Sequence, residues 1–231
     1  MATARHAALD GSEVTLSADA DMSFPMTAFG FVRPRGMRSP QPLNIFPPGK
    51  SDRLLADAPT AFAEVDYELL AEADVNGGVL RLARIRRPTA TGGARELTYG
   101  IWEGTTGSIS TSVRGDGAAM EDLFGRLRFR QVARGIAVDS PVDESIRPLR
   151  CLKQVGPALV EIRPLTATVR RSLPRTAGRR VPAGDMYRRT ETGRDVLVVT
   201  DTAAVYVAPT TSTDEHVDVA ADLSVTWGPR A

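Results

Sequence analysis

The segment from Val65 to Arg87 constrains the fold more than any other part of this chain. Val65, Tyr67, Leu69, Ala71, Ala73 and Val75 alternate with Asp66, Glu68, Leu70, Glu72 and Asp74, and a period of two is what a strand with one buried face requires. A helix is the rival reading, because Phe62, Val65, Leu69 and Ala73 also fall at helical spacing behind Pro59. The residues that follow decide between the two. Asn76-Gly77 suits the two positive φ angles of a type I′ hairpin turn, and Val79 to Arg87 (VLRLARIRR) reads as the returning strand. With Asn76 and Gly77 as the loop, Ala73 faces Leu80, Ala71 faces Leu82, Glu72 faces Arg81 and Asp66 faces Arg87. Apolar meets apolar and acid meets base, a pattern that a one-residue slip destroys.

Strands dominate the rest of the reading. Glu13 to Ser17 and the apolar run Phe24 to Val32 open the chain, and Glu96 to Trp102 and Ser108 to Arg114 follow the hairpin. A helix is predicted within residues 117–132, where Met120, Leu123, Phe124 and Leu127 repeat at helical spacing behind Asp116 as a cap. Two short strands are expected around Pro164, then a buried strand pair at Asp195–Thr200 and Ala203–Ala208, and a final alternating strand over Val217–Trp227. Between residues 33 and 48 five prolines argue against both a helix and a central strand, so this part reads as an extended segment, either a loop wrapping its own domain or an arm contacting a neighbouring subunit. Trp102, Trp227, Phe29, Phe31 and Tyr206 are expected where sheets pack. The fold class is therefore α+β and mainly β, with antiparallel sheets: an α+β domain over 1–138 and a smaller β-rich domain over 139–231.

Charge is segregated along the chain. Net charge is +1, yet residues 1–80 carry 6 basic and 11 acidic side chains, 81–135 carry 10 and 5, 136–200 carry 12 and 7, and 201–231 carry 1 and 5. Basic character peaks between Arg163 and Arg194, where nine arginines face only Asp185 and Glu191. This stretch, rich in proline and glycine and without periodicity, reads as a long loop over 171–194. Arg170, Arg171, Arg175, Arg179, Arg180, Arg188 and Arg189 are its candidate contacts for a polyanion or an acidic partner. Tyr187 is the only aromatic residue within it, which is poor provision for stacking bases. Acidic surfaces are predicted at Asp66/Glu68/Glu72/Asp74 and at Asp214/Glu215/Asp218/Asp222. These blocks either cancel inside one subunit or meet between subunits in a head-to-tail contact.

No catalytic constellation emerges. A single cysteine, Cys151, excludes an internal disulfide framework and a cysteine-rich zinc module. Asp214, His216 and Asp218 would share one face of a strand, a weak metal pattern, and Gly115-Asp116-Gly117 lacks the rest of any phosphate-binding fingerprint. No catalytic residue, metal or cofactor is assigned. No apolar run approaches the roughly 18 residues of a membrane span, and acidic residues interrupt the first 22 positions, so the expected address is the cytoplasm or a particle assembled there. The expected function is a non-enzymatic structural or interaction subunit of a homo- or hetero-oligomeric assembly, such as a virion, tail or injection machine. Arg33, Arg35, Arg38 and Phe46 would form the assembly arm. The alternative is a nucleic-acid or polyanion binder acting through the arginine loop, and the third reading is an enzyme without a recognisable motif.

Overall fold

In the computed structural model the hairpin is formed by β5 (Asp66–Val75) and β6 (Gly78–Pro88). Asn76 and Gly77 both take positive φ, 52° and 75°, as a type I′ turn demands. Ala73↔Leu80, Glu72↔Arg81 and Ala71↔Leu82 pair as the pattern predicts. At Leu70 a bulge inserts one residue, so that Glu68 faces Arg84 and Asp66 faces Arg86 rather than Arg87. The structure describes residues 1–33, 40–49, 66–88, 94–113, 117–132, 134–139, 145–188 and 195–230. Expectations for Arg35, Arg38, Asp116 and Arg189 fall outside them.

The chain forms two compact units, Phe29–Arg147 and a discontinuous one of Met1–Ala28 with Pro148–Ala231. The division differs from a boundary at 138 because the first strands pair with the last. β1 (Ala2–Ala7) and β2 (Ser12–Ala18) join β17 (Ser224–Arg230) in the order β1-β2-β17, with Val14 opposite Trp227. The same unit carries the run β13-β14-β15-β16-β12-β11. Its strands are β11 (Ser145–Val155), β12 (Ala158–Pro164), β13 (Arg179–Val181), β14 (Gly184–Arg188), β15 (Val196–Val199) and β16 (Ala203–Pro209). Buried Lys153 donates through Nζ to the carbonyls of Met22 (2.8 Å) and Phe24, which fixes the chain beyond β2.

In the other unit, β3 (Thr27–Arg33), β4 (Gln41–Phe46), β8 (Ser108–Val113), β7 (Ala94–Glu103), β6 and β5 lie in that order, and β9 (Arg128–Val132) pairs with β10 (Gly135–Asp139). Helix α1 (Gly117–Arg126) buries Met120, Leu123 and Phe124. It stops at Arg126, and the chain turns directly into β9, where Phe129 packs 4.6 Å from Trp102 and 5.7 Å from Phe124. Three expectations about longer segments are corrected here and in the discontinuous unit, and a fourth about the chain just beyond Pro164.

The arm is one. Residues 41–46 form a strand interior to the sheet, with Ile45 opposite Ile109 and the Pro42 carbonyl accepting from Thr111 Oγ1 at 2.5 Å. Pro42 sits at the second position of the strand, where a lost donor interrupts little of the ladder. The long arginine loop is another, because residues 179–188 form the β13–β14 hairpin around Pro182-Ala183. Gly184 has φ 154°, and a Cβ there would lie 2.0 Å from the Val199 carbonyl oxygen, so only glycine fits. The last is the strand at 217–227. Helix α3 (His216–Asp222) precedes β17 because His216, Ala220 and Leu223, at helical spacing, are all buried. Five-residue α2 (Ala167–Arg171), capped by Thr166 Oγ1, replaces the second short strand expected beyond Pro164.

Candidate functional site

Strand register sorts the side chains of β14, β15, β16 and β12 onto two faces. Met186, Val198, Val205, Ile162 and, on β11, Cys151 form one cross-strand row, buried throughout. Tyr187, Leu197, Tyr206 and Glu161 form the neighbouring row on the opposite face. At the edge of these strands a groove of about 710 Å³ opens, walled by residues of 172–178 and lined by Arg163, Arg179, Met186, Tyr187, Arg188, Leu197 and Tyr206. Gly178 brings the wall against the sheet, since a Cβ on it would lie 2.8 Å from Cζ of Tyr187.

The groove has an apolar floor and a cationic rim. Arg163 lies over the ring of Tyr206, 4.6 Å from its centroid, and its Nε donates to Glu161 Oε1 at 2.5 Å. Glu161 also accepts from Arg150 Nη1 at 3.0 Å, so one carboxylate holds two guanidiniums in place. Arg179 and Arg188 differ from Arg163. Both are exposed, and among the described residues neither has a carboxylate within salt-bridge distance. Planar guanidiniums beside an apolar floor suit a carboxylate or phosphate carried on a partly apolar body.

The fold divides the arginines that the sequence groups together. Arg179 and Arg188 line the groove, whereas Arg170 and Arg180 border a separate hollow of about 340 Å³ with Asp185 and Asp201. There Arg180 pairs with Asp185 at 3.1 Å. Arg171 and Arg175 are exposed and line neither hollow. Arg33 is exposed at the end of β3, and Phe46 is half-buried opposite Ser108. The sequence reading missed Arg163, Tyr206, Leu197 and Glu161 as a group, because their proximity arises from pairing across three strands. One signal was present: in Ala203–Ala208 the alternation sets Tyr206 on the face opposite Val205 and Val207.

The two acidic surfaces behave differently. On the hairpin, Arg81 pairs with Glu72 (2.9 Å), and Arg84 bridges Glu68 (3.0 Å) and Glu96 (2.9 Å), so Glu68 and Glu72 are matched within their own unit. Asp214, Glu215, Asp218 and Asp222 are all exposed, and no ion pair to them occurs among the described residues. The Glu215 carboxylate accepts from Thr213 Oγ1 at 3.1 Å.

Other candidate chemistry is absorbed by structure. Helix α3 turns residue 218 about 200° from 216, and His216 is 1% exposed, so Asp214, His216 and Asp218 do not share a face. No group of three or more His, Cys, Asp or Glu side chains among the described residues is arranged to hold a metal. Cys151 is fully buried, and desolvation pushes its thiol far above the usual range. No described helix is long and apolar enough to cross a membrane. No protein-family model, curated protein or solved structure matches the chain.

Proposed function

We propose that this chain is a non-enzymatic interaction subunit of a larger protein assembly, a virion, tail or injection machine being assemblies of that kind, and that its groove takes a negatively charged protein segment. One observation carries the reading: Arg163, Arg179 and Arg188 line one groove together with Tyr187, Leu197 and Tyr206, and two of the three have no carboxylate within salt-bridge distance among the described residues. Guanidiniums held in that way make charge-assisted, two-point hydrogen bonds with carboxylates.

A single-stranded nucleic acid is the second reading, since phosphates would use the same arginines. The aromatic geometry favours the protein segment. Tyr206 is covered by Arg163, and Gly178 lies against Tyr187. The two tyrosines are also two strands apart, about 10 Å, with Leu197 between them, so they do not clamp one base.

The test is fluorescence anisotropy at low salt with a labelled hexaglutamate peptide and, in parallel, a labelled oligothymidylate. Binding of the peptide, weakened about tenfold or more by Arg179→Ala/Arg188→Ala, is expected, a change of roughly 1.4 kcal/mol. Binding that ignores the substitutions, or is absent, contradicts the proposal. Tighter binding of the oligonucleotide, with affinity falling steeply with salt, assigns the groove to nucleic acid instead.

A further inference from the structure

We infer that the segment entering the groove is the acidic Asp214–Asp222 region of a second copy of this chain. The inference rests on the groove's being a site for an anionic protein segment, and it names the partner. Among the described residues of the discontinuous unit, Arg179 and Arg188 in the groove have no carboxylate within salt-bridge distance, and the 214–222 region has four exposed carboxylates without ion pairs. The two do not serve each other within one copy. Helix α3 packs on β15 and β16 with His216 and Ala220 inward, and no residue of 214–222 lines the groove.

Two complementary patches that sit apart on the same unit, and do not meet inside it, are the ingredients of a heterologous contact. Asp218 and Asp222, one helical turn apart, present two carboxylates on one side of α3, toward solvent. Unlike Glu68 and Glu72, they have no arginine among the described residues to release before docking. One copy's groove holds the next copy's helix, either reciprocally across a two-fold axis or head to tail in a ring or an open chain. The near-neutral total of +1 is consistent with such pairing.

Charge reversal on each side tests this. Sedimentation of the wild-type chain at about 20 mM salt, where the Debye length is long, is expected to give species heavier than the 24.8 kDa chain, reverting to that mass at about 0.5 M. Arg179→Glu/Arg188→Glu alone and Asp218→Lys/Asp222→Lys alone are each expected to remain monomeric, because each sets like charges against each other. An equimolar mixture of the two is expected to reassemble, since every groove then meets a helix of opposite sign.

A wild-type chain that stays monomeric at low salt, oligomers that both reversals leave intact, or a mixture that fails to assemble overturns the inference. Circular dichroism confirms folding of each variant; should a reversal unfold, Arg179→Gln/Arg188→Gln must dissolve the wild-type oligomer by itself. If the chain is monomeric and hexaglutamate still binds through Arg179 and Arg188, the groove reading stands and self-docking falls. If hexaglutamate does not bind, both fall.

Discussion

Arg163 lies 4.6 Å from the centre of the Tyr206 ring while its Nε donates to Glu161. A cation over an aromatic face contributes about 0.5 to 2 kcal/mol depending on its desolvation, and the second contact fixes the guanidinium's orientation. The groove thus contains one cation already matched internally beside two with no carboxylate partner among the described residues. On the proposed anion binding, Glu161 competes with the ligand for Arg163.

Replacing Glu161 with Gln removes the competing negative charge and keeps the side chain's shape. Hexaglutamate is expected to bind about threefold tighter or better, near 0.6 kcal/mol. Loss of thermal stability is expected to be about 1 to 3 kcal/mol, because Glu161 is largely buried and accepts charge-assisted hydrogen bonds from two arginines. Anisotropy measures the first and calorimetry the second; weaker peptide binding by the variant goes against Glu161 as a competitor.

Gly178 tests the groove wall. Alanine there would set its Cβ 2.8 Å from Cζ of Tyr187 and 2.9 Å from the Met186 carbonyl oxygen. Gly178→Ala is therefore expected to cost about 1 to 3 kcal/mol in urea unfolding and to weaken peptide binding by shifting the wall. Unchanged stability and affinity contradict this close approach.

The hairpin was legible in the sequence because turn chemistry, alternation and cross-strand charge all agreed at Asn76-Gly77. Its Leu70 bulge was not, since an inserted residue leaves the alternation on either side intact. The 217–227 error has a similar cause: Val217, Val219 and Ala221 alternate, but burial of His216, Ala220 and Leu223 selects the helix. For the groove, Arg179 and Arg188 were found by composition alone. Arg163 and Tyr206 needed the β12–β16 register, a non-local fact that no local pattern encodes.

Asn76 also holds α1. Its Nδ2 donates to the carbonyls of Phe124 (3.0 Å) and Leu127 (2.7 Å), which satisfies the helix end while its own backbone sits at φ 52°. Asn76→Ala loses both bonds and strains the turn, with an expected cost of about 1 to 3 kcal/mol. Asn76→Gly loses the bonds but relaxes the backbone, so it should cost less. Urea titrations giving the reverse order contradict the dual role.

His6 makes stability depend on pH. Burial lowers its pKa below 6.5, opposed by hydrogen bonds to the Ala7 and Met26 carbonyls. The unfolded chain therefore takes up a proton that the folded chain resists. Stability from this residue is full above pH 6.5 and is lost as pH falls from there to the lowered folded value. The thermal midpoint should drop between about pH 7.5 and 5.5, and drop less in His6→Gln. Equal drops exclude His6 as the cause.

The most direct measurement of the central claim is an amide chemical-shift map of the isotopically labelled chain titrated with hexaglutamate at low salt. Binding in the groove predicts shifts concentrated at Gly178, Arg179, Tyr187, Arg188, Leu197 and Tyr206, abolished in Arg179→Ala/Arg188→Ala. Shifts centred on the basic residues of the other unit, Arg126, Arg128 and Arg130, or no saturable shifts at all, would contradict it.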